Sequence, residues 1–370
     1  MSDLLSLQHK SLAEVISEVA STSSRQKIMA IGNYNGVNLG DNAILKTILH
    51  DLEALPLEIV VPTRFPEMTK QIYREGLTNP VRLVLNKSPY LELLRQSLQA
   101  KLIFVGGGTI FSKYAGSFVY VLPYYLILMR LLGKKVIYYS QGFDPSTAWY
   151  LRVAAYLSMI LASRVSVRDT KSYRTLKWVR KFRNVDLIAD PVKHMLEIKN
   201  PEISRLVEED RQQLAQKYPL AKKYVLTCFN YVKEPEKNKL LEEKLTYLVD
   251  TFAARGQEVL LASFQNSKLF LRDDYRLNLA IKKRSKNPEK LHVISEMLDP
   301  FTTIELMKNA DFLVAERLHS MVLANLSKTD FFGISYQRKC TAFLEQIEYS
   351  NFVELEEFLQ MSEQQINNLV

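Results

Sequence analysis

Lys27-Ile28-Met29-Ala30-Ile31-Gly32-Asn33-Tyr34-Asn35-Gly36-Val37-Asn38-Leu39-Gly40-Asp41 reads as a short apolar strand opening into a glycine-containing loop, and a helical pattern follows over residues 42–55. The same unit recurs down the first half. Residues 57–61 form a second strand, residues 101–105 open into Gly106-Gly107-Gly108, and residues 135–139 open into Ser140-Gln141-Gly142. Val165-Ser166-Val167 and residues 185–189 read as further strands, with a helix over 172–181 between them. Strands alternating with helices imply a parallel sheet covered on both faces.

Residues 191–222 change character. They are charged, punctuated by Pro201 and Pro219, and read as an interdomain connection plus the first helix of a second unit. The pattern restarts with Tyr224-Val225-Leu226-Thr227-Cys228-Phe229 and continues through a helix over 240–255 and a strand over 258–262. A helix before Asn287, a strand over 291–294, a helix over 302–309 and the strand Phe312-Leu313-Val314 follow. The expected organisation is an N-terminal helix (1–26), a doubly wound domain (27–195), a linker with the first helix of the second unit (196–222), a second doubly wound domain (223–348) and a C-terminal helical tail (349–370), with a cleft between the two halves. Ligands of open parallel sheets bind beyond the carboxyl ends of strands, so the loops at 106–108 and 316–319 are expected to point toward one place.

At 370 residues the chain exceeds what one hydrophobic core usually supports, and its 47% hydrophobic and 24% charged residues are those of a globular protein. The net charge of +9 favours an anionic partner: a phosphorylated small molecule, an anionic membrane surface or nucleic acid. Zinc-finger spacing, a ribonucleoprotein aromatic motif and a long basic arm are all missing, which sets nucleic acid aside. Cys228 and Cys340 have no metal-ligand spacing and read as buried free thiols in a reducing compartment. In the first 25 residues Leu4, Leu5, Leu7, Leu12, Val15, Ile16 and Val19 alternate with polar residues, the pattern of a surface helix rather than an export signal. Residues 118–132 are the strongest membrane candidate, but they fall short of the ~20 apolar residues a span needs and contain Pro123. A helix buried on a sheet is the expected role, and peripheral lipid contact, helped by Arg130, Lys134 and Lys135, is the other.

Chemistry concentrates in Ala315-Glu316-Arg317-Leu318-His319-Ser320, where a guanidinium and an imidazole two residues apart follow an apolar strand. Together they can hold an anion and move a proton near neutral pH. The next strand, residues 331–336, ends in Arg338-Lys339. Arg168 follows the strand 165–167, where a planar fork can bind carboxylate or phosphate, and Asp169 with Ser172 is suited to cap the following helix. Asp41 is the expected N-cap after the first glycine loop, whose glycines either admit a ligand to the backbone or shape a tight turn. Three successive glycines at 106–108 imply a steric need, for a ligand or a facing domain. Of the other histidines, His9 and His50 read as exposed on helices, His194 as a candidate cleft residue and His292 as packed. The pattern contains neither a metal site nor a cofactor motif.

Gly36-Val37-Asn38-Leu39-Gly40-Asp41-Asn42, Val105-Gly106-Gly107-Gly108-Thr109, Gln141-Gly142, Val165-Ser166-Val167-Arg168-Asp169 with Ser172, Ala189-Asp190-Pro191-Val192, Arg317-Leu318-His319, and Ile334-Ser335-Tyr336 with Lys339 together resemble the polysaccharide pyruvyl transferase family. The resemblance implies a GT-B-like glycosyltransferase architecture, two Rossmann-like domains facing a cleft. It further implies transfer of a pyruvyl group from phosphoenolpyruvate to two sugar hydroxyls as a cyclic ketal, with release of phosphate and no cofactor. Carried over, Arg168, Arg317 and Lys339 would bind the donor and His319 would be the acid/base. Asn38, Gly40, Asp41, Gly106, Gly107, Gly108, Gln141, Glu316 and Leu318 are candidate loop contacts. Glu316 stands where the family commonly has a smaller or apolar residue, and it either orients Arg317 or binds the sugar. The implied setting is an envelope or exopolysaccharide pathway with a lipid-linked or nucleotide-linked acceptor; the lack of an export-signal pattern, the basic charge and such an acceptor together lead to the expectation of a cytoplasmic location with loose contact at the inner face of the membrane. Two other expectations compete: a GT-B glycosyltransferase using a sugar nucleotide, and a non-catalytic carbohydrate-binding or scaffold protein of polysaccharide assembly.

Overall fold

A computed structural model describes residues 10–19, 25–73, 77–85, 90–111, 118–144, 148–266 and 273–369. Leu4, Leu5, Leu7 and His9 lie outside the described residues. The chain divides into two compact units, Met1–Gly36 with Asp41–Lys199, and Val37–Gly40 with Asn200–Val370.

Unit 1 is built on a seven-stranded sheet: β1 (Gln26–Ile31), β2 (Leu57–Thr63), β3 (Val81–Leu85), β4 (Leu102–Gly106), β5 (Lys135–Gln141), β6 (Arg164–Val167) and β7 (Asp186–Leu187), in the order β3-β2-β1-β4-β5-β6-β7. Its neighbouring pairs are parallel, with Ile28 opposite Ile59 on one side and opposite Leu102 on the other. The helices are α1 (Leu12–Val19), α2 (Leu39–Asp51, whose first two residues belong to unit 2), α3 (Pro66–Lys70), α4 (Leu91–Gln99), α5 (Phe118–Leu131), α6 (Trp149–Leu161) and α7 (Thr170–Thr175). Because helices cover both faces, the strands carry continuous apolar runs rather than alternating ones. Ile103, Val105, Val136 and Tyr138 meet Leu122, Leu126 and Met129 of α5 and Ala155 and Met159 of α6 in the core.

The stretch expected as a buried helix is buried on one side only. Leu122, Leu126 and Met129 lie one helical turn apart and pack inward, while Tyr120, Tyr124, Leu128 and Leu131 are exposed. The helix runs through Pro123 rather than breaking there.

Unit 2 repeats the plan with α8 (Pro201–Lys217), β8 (Tyr224–Cys228), α9 (Pro235–Ala254), β9 (Glu258–Leu261), α10 (Asp274–Arg284), β10 (Leu291–Val293), α11 (Pro300–Lys308) and β11 (Phe312–Ala315). It continues through α12 (Leu318–Ser327), β12 (Phe331–Ser335), α13 (Arg338–Gln346), β13 (Phe352–Glu354), α14 (Leu355–Gln360) and α15 (Glu363–Asn367). The strand order is β10-β9-β8-β11-β12-β13 and the pairs are parallel. Leu241, Leu245, Leu248 and Phe252 of α9 pack against Val225, Val259 and Val314.

In the stretch read as a connection plus the first helix of a second unit, a 3-10 turn over Pro191–Glu197 closes unit 1, and α8 starts unit 2 behind Asn200, whose Oδ1 accepts the Glu202 amide at 2.9 Å. Two segments depart from the sequence reading. The tail expected to be helical also contributes β13, which pairs with β12 as an edge strand before α14 and α15 pack beneath the sheet. Finally, Val37–Gly40 joins unit 2 although its flanks belong to unit 1. The reason is backbone pairing: Leu39 N donates to Phe264 O at 2.8 Å, Asn266 N donates to Val37 O at 3.2 Å, and Asn38 bridges Gln265 in antiparallel fashion.

Candidate functional site

In each sheet the strand order reverses between the first strand and the fourth, at β1 and β4 in unit 1 and at β8 and β11 in unit 2. Connections leave in opposite directions from such a reversal, so the carboxyl ends there border a crevice. Of the residues singled out in the sequence, the loops at 106–108 and 316–319 lie at these reversals, while Arg168 follows β6 and Lys339 follows β12, farther along each sheet.

In unit 2, β11 ends at Ala315, Glu316 and Arg317 make the turn, and α12 begins at Leu318. The loop expected over 316–319 is therefore only two residues long, and His319 is already helical. Arg317 is an N-cap in extended conformation with no side-chain cap, so the usual Ser, Thr, Asp or Asn that announces a helix start is missing. The amide-bearing end of α12 adds partial positive charge beside the guanidinium.

Arg317 is held from below. Its Nη2 donates to Asp274 Oδ1 at 2.6 Å and to Gln265 Oε1 at 3.0 Å. Asp274 is 0% exposed, opens α10, and also accepts the backbone amides of Tyr231 at 3.1 Å and Gln265 at 2.8 Å. Desolvation opposes the Arg317 charge, but Asp274, Tyr336 and Glu316 together raise its pKa. Burial raises the Asp274 carboxyl against the pull of Arg317 and the two amides. Nε of Arg317 is buried and has no hydrogen-bond partner among the described residues.

Glu316 turns inward. It is 0% exposed; Oε2 accepts the Asn230 amide at 2.8 Å, and Oε1 has no partner among the described residues. Desolvation raises its pKa, the Asn230 amide lowers it and the charge of Asp274 raises it again, leaving it at about 8. One guanidinium thus stands near two buried carboxyls, and a neutral Glu316 lets Asp274 keep the pairing.

His319 lies against the segment that opens α2. A Cβ on Gly40 would fall 2.1 Å from His319 Nδ1 and 2.7 Å from its Cβ, so only glycine permits this approach. Asn38 Oδ1 accepts the Gly40 amide at 3.0 Å, which makes Asn38 rather than Asp41 the cap of α2. Asp41 instead lies in the first turn and accepts from Asn33 Nδ2 at 2.6 Å. Lys339, at the start of α13 beyond the neighbouring strand β12, is exposed, with Nζ 5.8 Å from the Tyr336 ring centroid. Unit 2 therefore brings Asn38, Gly40, Glu316, Arg317, Leu318 and His319 together and places Lys339 one strand away.

Unit 1 assembles the others. Arg168, only 9% exposed, donates from Nη1 to Asp190 Oδ2 at 2.7 Å and from Nη2 to Thr109 Oγ1 at 3.1 Å. Asp169 caps α7, accepting the Ser172 amide at 2.6 Å. Gln141 Nε2 donates to Gly108 O at 2.9 Å and Gly142 O at 3.0 Å, while its buried Oε1 has no partner among the described residues. The triple glycine answers a steric need within the unit. At Gly107 φ is +60° and a Cβ would meet Ile44 Cγ2 of α2 at 2.1 Å, and the Gly107 amide is already given to Tyr139 O at 3.1 Å. His194 is buried, with Nδ1 3.2 Å from Glu197 Oε2, and His292 Nε2 lies 2.8 Å from Glu258 Oε2.

Asp274, Gln265 and Asn230 escaped the sequence reading, and Thr109 entered it only as the end of the triple-glycine motif. Asp274 sits 43 positions before Arg317, and the one available signal was an acidic pair, Asp273-Asp274, at a helix start.

The sequence profile of the polysaccharide pyruvyl transferase family matches residues 38–338. Among curated protein sequences, none matches the chain. Solved structures with a similar fold include a UDP-GlcNAc 2-epimerase from Methanocaldococcus jannaschii, with TM-score 0.62 and 14% identity over 94% of this chain and 91% of that one. A UDP-GlcNAc 2-epimerase from Neisseria meningitidis gives TM-score 0.60 and 10% identity over 91% and 89%. The E. coli ADP-heptose LPS heptosyltransferase II gives 0.50 and 11% over 93% and 97%. At such identities the likeness is one of fold, and it places the two units in the GT-B-like class.

Proposed function

Because the chain belongs to the polysaccharide pyruvyl transferase family, we propose that it moves a pyruvyl group from phosphoenolpyruvate onto two hydroxyls of a polysaccharide precursor sugar, forming a cyclic ketal and releasing phosphate. The observation that carries this reading is the pairing of an Arg317 anchored by Asp274 and Gln265 with His319 two residues on, at the amide end of α12.

The chemistry needs what these side chains offer. A proton delivered to the donor's methylene carbon makes a methyl group and leaves the phosphate-bearing carbon electron-poor. A sugar hydroxyl attacks that carbon, forming one C–O bond and giving up its proton to the base. The second hydroxyl then forms the other C–O bond as the bond to phosphate breaks, and its proton leaves with phosphate. His319 is the acid and base of this sequence, and Arg317 offsets the charge that builds on the leaving phosphate. Lys339 adds a mobile cation for the same anion. Arg168, a nearly buried guanidinium at the carboxyl end of β6, is proposed as a further donor-binding residue. Leu318 shapes the turn, and Asn38 and Gly40 hold the backbone against His319.

The acceptor is proposed to be a lipid-linked or nucleotide-linked sugar of an envelope or exopolysaccharide pathway, used on the cytoplasmic side. Phosphate release from phosphoenolpyruvate, followed across a panel of such sugars, tests the proposal. Release should require an acceptor, and Arg317→Ala and His319→Ala should each lower it by roughly a hundredfold or more. Turnover of a sugar nucleotide with no phosphate release would replace pyruvyl transfer by glycosyl transfer.

A further inference from the structure

The charge of this protein is not spread evenly. Residues 118–183 hold 12 of the 49 Lys and Arg and 2 of the 40 Asp and Glu, so this stretch carries +10 and the rest of the chain −1. The same stretch contains α5 and α6, and both present apolar side chains to solvent. On α5, Tyr120, Tyr124, Leu128 and Leu131 follow one another at helical spacing, Leu131 being 75% exposed. On α6, Trp149, Tyr150, Val153, Leu157 and Leu161 do the same, Trp149 being 71% exposed.

The two stripes share one face. Arg130 near the end of α5 donates from Nε to Leu161 O at 2.7 Å, tying the helices side by side. Arg183 donates to Ile160 O at 3.2 Å and Ser163 O at 3.0 Å, which fastens the following 3-10 turn, Val179–Lys181, to the end of α6. That turn is flanked by exposed Trp178 and Phe182, and its own exposed Arg180 and Lys181 lie over the rings of Tyr173 at 3.9 Å and Trp178 at 4.1 Å. The face thus joins aliphatic stripes, aromatic rings and a cationic margin that includes Arg174 and Lys177.

From this combination we infer that the α5–α6 face of unit 1 docks on the surface of an anionic lipid bilayer. Isolated exposed leucines are ordinary, but two adjacent apolar stripes are a binding surface. Tryptophan and tyrosine favour the boundary between acyl chains and water, and clustered lysines and arginines favour anionic headgroups. A second copy of the chain fits poorly, since an isologous contact would bring the two cationic margins around Arg174, Lys177, Arg180 and Lys181 together. Among the described residues no helix is long and apolar enough to cross a membrane, so the contact is peripheral. The inference is independent of the reaction proposed above.

Cosedimentation of the full chain with vesicles tests it. The protein should bind vesicles of phosphatidylcholine mixed with phosphatidylglycerol roughly tenfold or more tightly than phosphatidylcholine alone, and added salt should weaken the binding. Lys177→Glu with Lys181→Glu should erase most of the preference for anionic lipid. Leu131→Asp with Leu157→Asp should abolish binding to either vesicle while leaving the thermal melt unchanged, since both side chains are exposed. Equal binding to both vesicle types, or full binding by the leucine variant, would overturn the assignment. So would a dimer in sedimentation equilibrium that the leucine variant dissociates without any vesicle binding in the wild type.

Discussion

Arg317, proposed to bind the donor, illustrates how a buried cation is set in place by groups outside the proposed chemistry. Asp274→Asn keeps the shape of that support and removes its charge, leaving a guanidinium that is only 12% exposed without its counter-ion. Losing one partner of a buried pair costs about 3–5 kcal/mol, and urea unfolding should register a loss of that order. Glu316 predicts a pH dependence of definite sign. Its ordinary value is 4.5 and its folded value about 8, so in this window the folded chain keeps a proton that the unfolded chain releases. This group's contribution to stability therefore falls as pH rises from 4.5 and levels off above about 8. Glu316→Gln has no proton to lose, and its advantage over the wild type should grow across the window to on the order of a few kcal/mol. Unfolding curves measured at several pH values check this, and a pH-independent difference would rule out a protonated carboxyl. The sequence marked Glu316 as unusual but left two roles open. The inward turn toward Asn230 is a matter of tertiary packing, between residues 86 positions apart, and no local pattern encodes it.

At the scale of elements, the first glycine loop becomes testable through Gly40. Adding a methyl group there forces the His319 ring to move, and misplacement by about 1 Å can cost a hundredfold in rate. Gly40→Ala is therefore expected to lower turnover by roughly that factor while far-UV circular dichroism is unchanged. Most elements were legible because a strand buried on both faces has to be a continuous apolar run, as in residues 102–106 and 312–315. What escaped notice had weak local signals. β13 is three residues long at a sheet edge, and the start of α12 lacks a capping side chain. The exposed face of α5 was hidden for a different reason, since apolar residues on both sides of a helix look the same in sequence whether they meet protein or solvent.

Across the whole molecule, two sheets share one strand order over six strands, and each offers a reversal beside which some of the proposed site residues lie. The two cysteines give a probe of one of these units. Cys228 on β8 and Cys340 on α13 are both free and buried, and burial raises both thiols, Cys340 to about 12. Neither should react with a disulfide reagent under native conditions, and both should become reactive in step with unfolding of unit 2. The placement of Val37–Gly40 bears on inheritance rather than chemistry. Unit 2 is written in the gene as two pieces, a short one early and a long one late. A chimera that takes residues 200–370 from one relative is best matched by residues 37–40 of the same parent, because the four pair with Phe264 to Asn266 and Gly40 leaves the room that His319 fills. Recombination at a single breakpoint near residue 200 would separate them, whereas substitution by drift can change both together.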